Sequence, residues 1–379
     1  MYRRNPFKFD ALQIMFFKKE YKKAYAWVIL ITAAIIIKVL SFFPVAVERY
    51  YTYGIYPAIA KIQRILLGWI PFSLGDIFYG LIIILLIIRA IRFFKNLKAK
   101  KFNRLGLYSF AKKMVFVLLV LFVTFYSLWG LNYSRVGIAG QLGLKEEKSS
   151  AKDLDTLVKL LHVKLNQKAT QLQPAMRDSF RRHKNLFAGA EKAFDAVVTK
   201  YPFLKYKVHS IKPSVFSYLG NYLGFQGYYN PFSGEAQVNT TMPQSVEPFV
   251  ATHEIAHQLG YAKESEANFV GFLACREHPS IVYTYSVYFD MYHYAIREMY
   301  WKDSAAAAVY DSLLHPQVKK DIDDYRAFYK KYRNPIEPVI SWAYGYFLKA
   351  NNQPKGRESY NEVVNWLIAY YKKYGKPAI

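Results

Sequence analysis

Three apolar runs in the first 131 residues constrain this chain more than any other feature. They are residues 24–47 (AYAWVILITAAIIIKVLSFFPVAV), 72–88 (FSLGDIFYGLIIILLII) and 114–131 (MVFVLLVLFVTFYSLWGL). A membrane-spanning helix needs about 20 mostly apolar residues, and each run is long enough, the second and third only just. A buried helix of a soluble protein seldom stays apolar on every face. The charges inside the runs are Lys38 and Asp76. Both lie toward the same predicted end of their helices, where a charged head reaches the interface, and a pairing between them is left open.

Charge gives the runs an orientation. Residues 1–131 carry 20 Lys/Arg against 4 Asp/Glu, a net of +16, whereas residues 132–379 carry 32 against 23, a net of +9. The basic excess follows the apolar runs, which points to membrane topology rather than to nucleic acid. Seven Lys/Arg precede the first run and nine lie between the second and third, with no acidic residue in that second loop; the loop between the first and second has Arg49, Lys61 and Arg64. The expectation is a multi-pass protein of the cytoplasmic membrane, with its N-terminus cytoplasmic and everything after residue 131 outside. No small-x-small cleavage site follows the first run, so it reads as an anchor rather than a signal peptide. Within 55–69, apolar residues recur at Ile55, Ile59, Ile62, Leu66 and Trp69 around Lys61 and Arg64. That spacing suits a helix lying along the membrane or one packed on the domain that follows.

The domain boundary is therefore placed at 131, with a membrane anchor over 1–131 and an extracytoplasmic domain over 132–379. Residues 147–200 read as two or three amphipathic helices, and His162 and His183 there as surface or packing residues. Residues 206–211 and 235–239 read as short strands, with turns at Asn230-Pro231 and Ser233-Gly234. Beyond residue 276 the chain reads as Tyr-rich helices without a nucleic-acid-binding motif. The single cysteine, Cys275, excludes an intramolecular disulfide and a Cys-based zinc cluster. The fold class expected is α+β: three spanning helices, then a mostly helical domain with a small sheet ahead of one central helix.

That helix carries the chemistry. Residues 251–275 read ATHEIAHQLGYAKESEANFVGFLAC. Ser245 is a reasonable N-cap, Glu247 and Pro248 suit the first turn, and Gly260 is placed to stop the helix. His253 and His257, four apart, share a face, and Glu254 sits roughly 100° round from His253. Two imidazoles bind zinc, and a carboxylate one residue on can touch a zinc-bound water without binding the metal. A catalytic site needs a third protein ligand. Glu264, seven residues after His257, and Glu266, nine after, compete for it. Glu264, Ala267 and Asn268 fit the ExxA(D/N) register of zincins whose third ligand is a glutamate on the next helix, which favours Glu264. Asn268 would then hold a ligand histidine. Lys263 stands where the metzincin pattern has its third histidine, against that class. For the developing oxyanion, Tyr346, Arg357, Tyr360, His293 and Tyr288 are available, each more often structural.

With three spans, the PFSLGDIFYG start of the second and HEIAHQLGYAKESEANFVGFLAC, nearly the whole chain resembles the bacterial membrane proteins of domain-of-unknown-function family 3810. That family is similar to gluzincin-type metallopeptidases around HExxH and the ExEAN segment. The resemblance implies a zinc-peptidase-like outer domain on a three-helix anchor. Asn268 departs from the Asp of the membrane-peptidase pattern. The expected function is hydrolysis of envelope proteins or peptides with Zn2+ as cofactor and Glu254 as general base. A non-catalytic envelope scaffold with a structural or vestigial metal site is the alternative. An intramembrane protease is disfavoured, because the motif lies in no apolar run. Membrane lipid and a protein or peptide substrate are the expected partners; nucleic acid is not, and oligomeric state is left open.

Overall fold

The computed structural model describes residues 11–99, 104–145 and 149–379, with side chains from Ala24 onward. Helix α1, Ala11–Leu40, is followed after a bend of 105° by α2, Pro44–Leu67, whose residues Val47–Ile55 wind as a π-helix. Helices α3, Leu74–Lys98, and α4, Arg104–Leu128, come next. Both are long and apolar enough to cross a membrane, and the bent pair of α1 and α2 makes a third span if counted as one. At about 1.5 Å per residue, 25 residues reach roughly 38 Å, more than a hydrocarbon core of about 30 Å. The first run stops short of expectation, at Leu40 rather than 47. The residue before a proline is driven out of the helical region, and Phe43 sits at φ −119°, ψ 76°. Pro44, which has no N–H to donate, then opens α2. The third run also ends early: α4 stops at Leu128, and Gly130–Ser134 form a buried 3-10 turn.

Asp76 is a second correction. It does not lie at a lipid interface near Lys38. It is fully buried in the first turn of α3, where it accepts hydrogen bonds from the Val215 N–H at 2.6 Å, the Ser214 hydroxyl at 3.1 Å and the Tyr228 hydroxyl. Of the two settings left open for helix α2, the structure shows packing on the domain. Tyr56, Ala60 and Arg64 are buried, while Ile55, Ile62, Ile65, Leu66 and the following Trp69 stay exposed.

Beyond the turn come α5, Ala151–Gln171, and α6, His183–Val197, then β1, Ile211–Pro213; α7, Ser217–Leu223; β2, Gly227–Asn230; and β3, Glu235–Val238. The sheet order is β1-β3-β2, with β1 parallel and β2 antiparallel to β3. The strand expected at 206–211 begins only at Ile211. Tyr206 is instead held in the core, its hydroxyl donating to Gln258 Oε1. β2 has no clear alternation in the sequence and was not expected. The β2–β3 connection closes through Gly234 N–H donating to Asn230 C=O at 2.8 Å. The sheet also seats α3: Glu235, neutralised by buried Lys212 at 2.5 Å, accepts from the Gly75 N–H at 2.7 Å.

The remaining helices are α8, Glu247–Gln258; α9, Glu264–Arg276; α10, Ile281–Lys302; α11, Ser304–Ser312; α12, Pro316–Tyr332; α13, Glu337–Ala350; and α14, Val363–Tyr374. Every residue of α8 is buried, as are the first twelve of α9. These two helices form the centre of the domain, packed on β3, α6 and α10.

Candidate metal centre

Helix α8 starts without a side-chain cap of its own. Val246, not Ser245, is its N-cap residue, and the Ser245 hydroxyl is buried and unpaired. The first-turn N–H of Phe249 donates instead to the Ser286 hydroxyl of α10 at 3.1 Å. The far end closes as expected at Gly260, whose φ of +86° suits glycine. Here the N-terminal part of the chain takes over. Trp129 Nε1 donates to the His257 carbonyl at 3.0 Å, the Tyr56 hydroxyl and Arg64 to the Gln258 carbonyl, and Arg135 to the Gly260 carbonyl at 3.1 Å. The Gln258 and Gly260 carbonyls are ones that a helix end leaves without an internal partner, while the His257 carbonyl also accepts from the Gly260 N–H at 3.0 Å.

On this helix the rings of His253 and His257 lie 4.7 Å apart, nearly perpendicular. Glu264, the first residue of α9, reaches between them: its Oε2 is 3.3 Å from each Nε2. One ligand atom from each of the three lies within 4.8 Å of the others. A tetrahedral zinc with bonds of roughly 2.0–2.1 Å places its ligand atoms about 3.3–3.4 Å apart, so the spacing fits. The protonation pattern fits too. His257 Nδ1 donates to the Tyr261 carbonyl at 2.7 Å, which leaves Nε2 with its lone pair facing the carboxylate. Glu264 Oε2 has no hydrogen-bond partner. A buried carboxylate held between two imidazole nitrogens is what a cation would resolve.

The electrostatics without a cation show the same tension. Burial works to lower the His257 pKa, but the Glu264 carboxylate overrides it and raises the imidazole to about 9. Burial acts to raise Glu264, yet His257 and His253 hold it well below the usual carboxylate range. His253 is lowered, chiefly by burial.

Glu254 sits beside the cluster without joining it. Burial pushes its carboxyl up to about 8, and its Oε2 is unpartnered. Gly227 of β2 makes the space, since a Cβ there would lie 2.6 Å from Glu254 Oε1. His253 and Glu254 both line a cleft of about 1150 Å³, bounded by β2, α7, α10, α12 and α13.

Glu266 is turned elsewhere. Its carboxylate faces Gly137, at φ +82°, and Lys263 at 3.6 Å. Asn268 stands beside His253, with its amide nitrogen 3.4 Å from the Tyr360 carbonyl, and His253 Nδ1 lacks a well-formed hydrogen bond. Among the oxyanion candidates, Tyr360, Arg357 and His293 line the cleft, and the Tyr360 ring lies parallel to His253 at 6.4 Å. Arg357 is occupied by Glu337 and Ser341. Tyr288 and Tyr346 do not reach the site: the first is buried with its hydroxyl on the Ile379 carbonyl, the second is exposed. Sequence reasoning missed Tyr344, whose hydroxyl donates to Glu264 Oε1 at 2.7 Å. No local pattern distinguishes it from the other tyrosines of α13.

The chain belongs to the family described as a protein of unknown function, DUF3810, which it matches over residues 51–368. No curated protein and no solved structure matches it.

Proposed function

We propose that this DUF3810 member is a membrane-anchored zinc metallopeptidase that hydrolyses peptide bonds in envelope proteins or peptides on the extracytoplasmic side. The observation that carries the reading is the convergence of His253, His257 and Glu264 Oε2 at 3.3 Å, with an unpartnered Glu254 carboxylate on the same helix facing the cleft. Zinc held there would supply a water of lowered pKa and a Lewis acid for the scissile carbonyl. Glu254 takes the proton of the attacking water and returns it to the leaving amine, the work of a general base turned acid. Tyr344 orients Glu264 by donating to the oxygen that faces away from the histidines. Tyr360, on the cleft wall with its ring parallel to His253, would donate to the developing oxyanion. The basic loop between α3 and α4 supports an outer location for the domain.

The test is Glu254→Gln in the full chain. The purified variant retains one zinc per chain by elemental analysis, while processing of envelope proteins, compared by proteomics with the wild-type strain, falls by about 10²–10⁴-fold. Zinc-free wild-type protein, or an envelope proteome unchanged by the substitution, overturns the reading. A variant that is silent where deletion of the whole protein has a phenotype points to the scaffold role.

A further inference from the structure

Two walls of the cleft, α7 and α13, expose apolar side chains on their outer faces. Along α13 and just before it these are Ile336, Val339 (61% exposed), Trp342 (65%) and Tyr346, and Leu348 is the only residue of the helix that is buried. On and beside α7 they are Val215, Tyr218 (70%), Leu219 and Tyr222. A surface like this in water would be a site of association or aggregation.

Both helices adjoin the spans. Phe347 of α13 packs 6.1 Å from Phe125 near the end of α4, and the Tyr126 hydroxyl donates to Asn351 Oδ1 at 2.8 Å. On the other side, a Cβ at Gly80 of α3 would lie 3.4 Å from the Phe216 ring, and Asp76 of α3 binds Ser214 and Val215. The lipid-facing surface of α3 and α4 therefore continues onto α7 and α13. The exposed side of α2, with Ile62, Leu66 and Trp69, extends the same surface. Tryptophan and tyrosine are the residues enriched where hydrocarbon meets headgroup.

From this continuity we infer that α7 and α13 are seated in the bilayer leaflet reached by the domain-side ends of α3 and α4. The part of the cleft wall formed by Asn221 and Leu223 of α7 and by Ile340 and Ser341 of α13 then lies at the lipid headgroups. Combined with the metallopeptidase reading, on which this consequence rests, the substrate is a polypeptide held on the same membrane. It approaches His253 and Glu254 along the bilayer surface.

The experiment uses the full chain in vesicles of phosphatidylethanolamine and phosphatidylglycerol. Cys275 is buried and is replaced by serine. Nitroxide labels are placed singly through Tyr218→Cys, Val339→Cys and Trp342→Cys, with Lys159→Cys on the charged face of α5 as the aqueous reference. Oxygen collides with the three labels several-fold more often than a nickel chelate does, and the order reverses at Lys159. Nickel dominating at all three positions overturns the inference, as does spin–spin broadening that shows a second copy covering them. Circular dichroism melts confirm that each variant is folded. Zinc content is read on the same samples: labels in lipid without zinc sink the metallopeptidase and leave the seating standing, whereas zinc with nickel-exposed labels does the reverse.

Discussion

Helices α8 and α13 both wall the cleft, and both begin with Glu-Pro, yet they invert the usual relation between polarity and burial. α8 reads EPFVATHEIAHQ, half of it polar, and all twelve residues are buried. α13 reads EPVISWAYGYFLKA, mostly apolar, and buries only Leu348. Large apolar side chains are normally inside and charged ones outside. Where polar groups are sealed in, the donors aim at one point. Where apolar groups are left out, they continue the surface of the spanning helices. On the readings proposed above, each exception answers to an environment other than water: a metal for the first, lipid for the second.

The contrast breaks most easily at the buried polar groups. Glu264→Gln removes the charge that faces both imidazoles. Zinc affinity falls by at least about 100-fold, measured by chelator competition on the full chain, because the ligand itself is changed rather than its surroundings. An affinity within a few-fold of wild type would make the cluster an ordinary buried hydrogen-bond network. The next test sets one aromatic against another. Phe249→Ala in α8 empties a packed core position and costs about 3–5 kcal/mol. Trp342→Ala in α13 changes stability in detergent by no more than about 0.5 kcal/mol. Denaturant melts that rank them equally would mean that α13 is packed against protein. Glu247 gives an effect that shows only as a dependence on pH. Burial raises its carboxyl to about 7 from an ordinary 4.5. The folded state thus keeps a proton that the unfolded chain has lost. Its stabilising contribution is whole below about pH 4.5 and disappears as pH climbs through 7, a change of at most about 3 kcal/mol. Glu247→Gln flattens this dependence, so its advantage in thermal midpoint over wild type grows between pH 5 and pH 8.

What could be read from sequence was local. His253, Glu254, His257 and Glu264 fall within twelve residues: helical spacing pairs the two histidines, and one glycine-stopped turn brings Glu264 back to them. Length and apolarity likewise disclosed the helices able to cross a membrane. Groups that meet across the fold left no such trace. Tyr344 reaches Glu264 over 80 residues, Asp76 reaches Ser214 over 138, and Ser286 caps a helix begun 39 positions earlier. Ser245 looked like a cap because propensity favours serine there, but packing against α10 supplied the acceptor instead. Residues 206–211 alternate like a strand, yet Tyr206 gains more by sending its hydroxyl into the core to Gln258. At the first span, a local signal was present in Phe43-Pro44 and the apolar composition around it masked the stop.

The hold that Trp129, Tyr56, Arg64 and Arg135 keep on the last carbonyls of α8 has a consequence for when and where this protein can work. The histidine-bearing helix is finished by residues that are synthesised earlier, in or just after the apolar helices. A fragment that begins after Arg135 would leave the Gln258 and Gly260 carbonyls without these donors. On the membrane-anchored reading proposed above, chain synthesis and bilayer insertion come before completion of the site, and release from the bilayer undoes it. Tethering would thereby act as a licence: the same contacts that fasten the domain in place would keep the proposed chemistry confined to the surface where it was assembled.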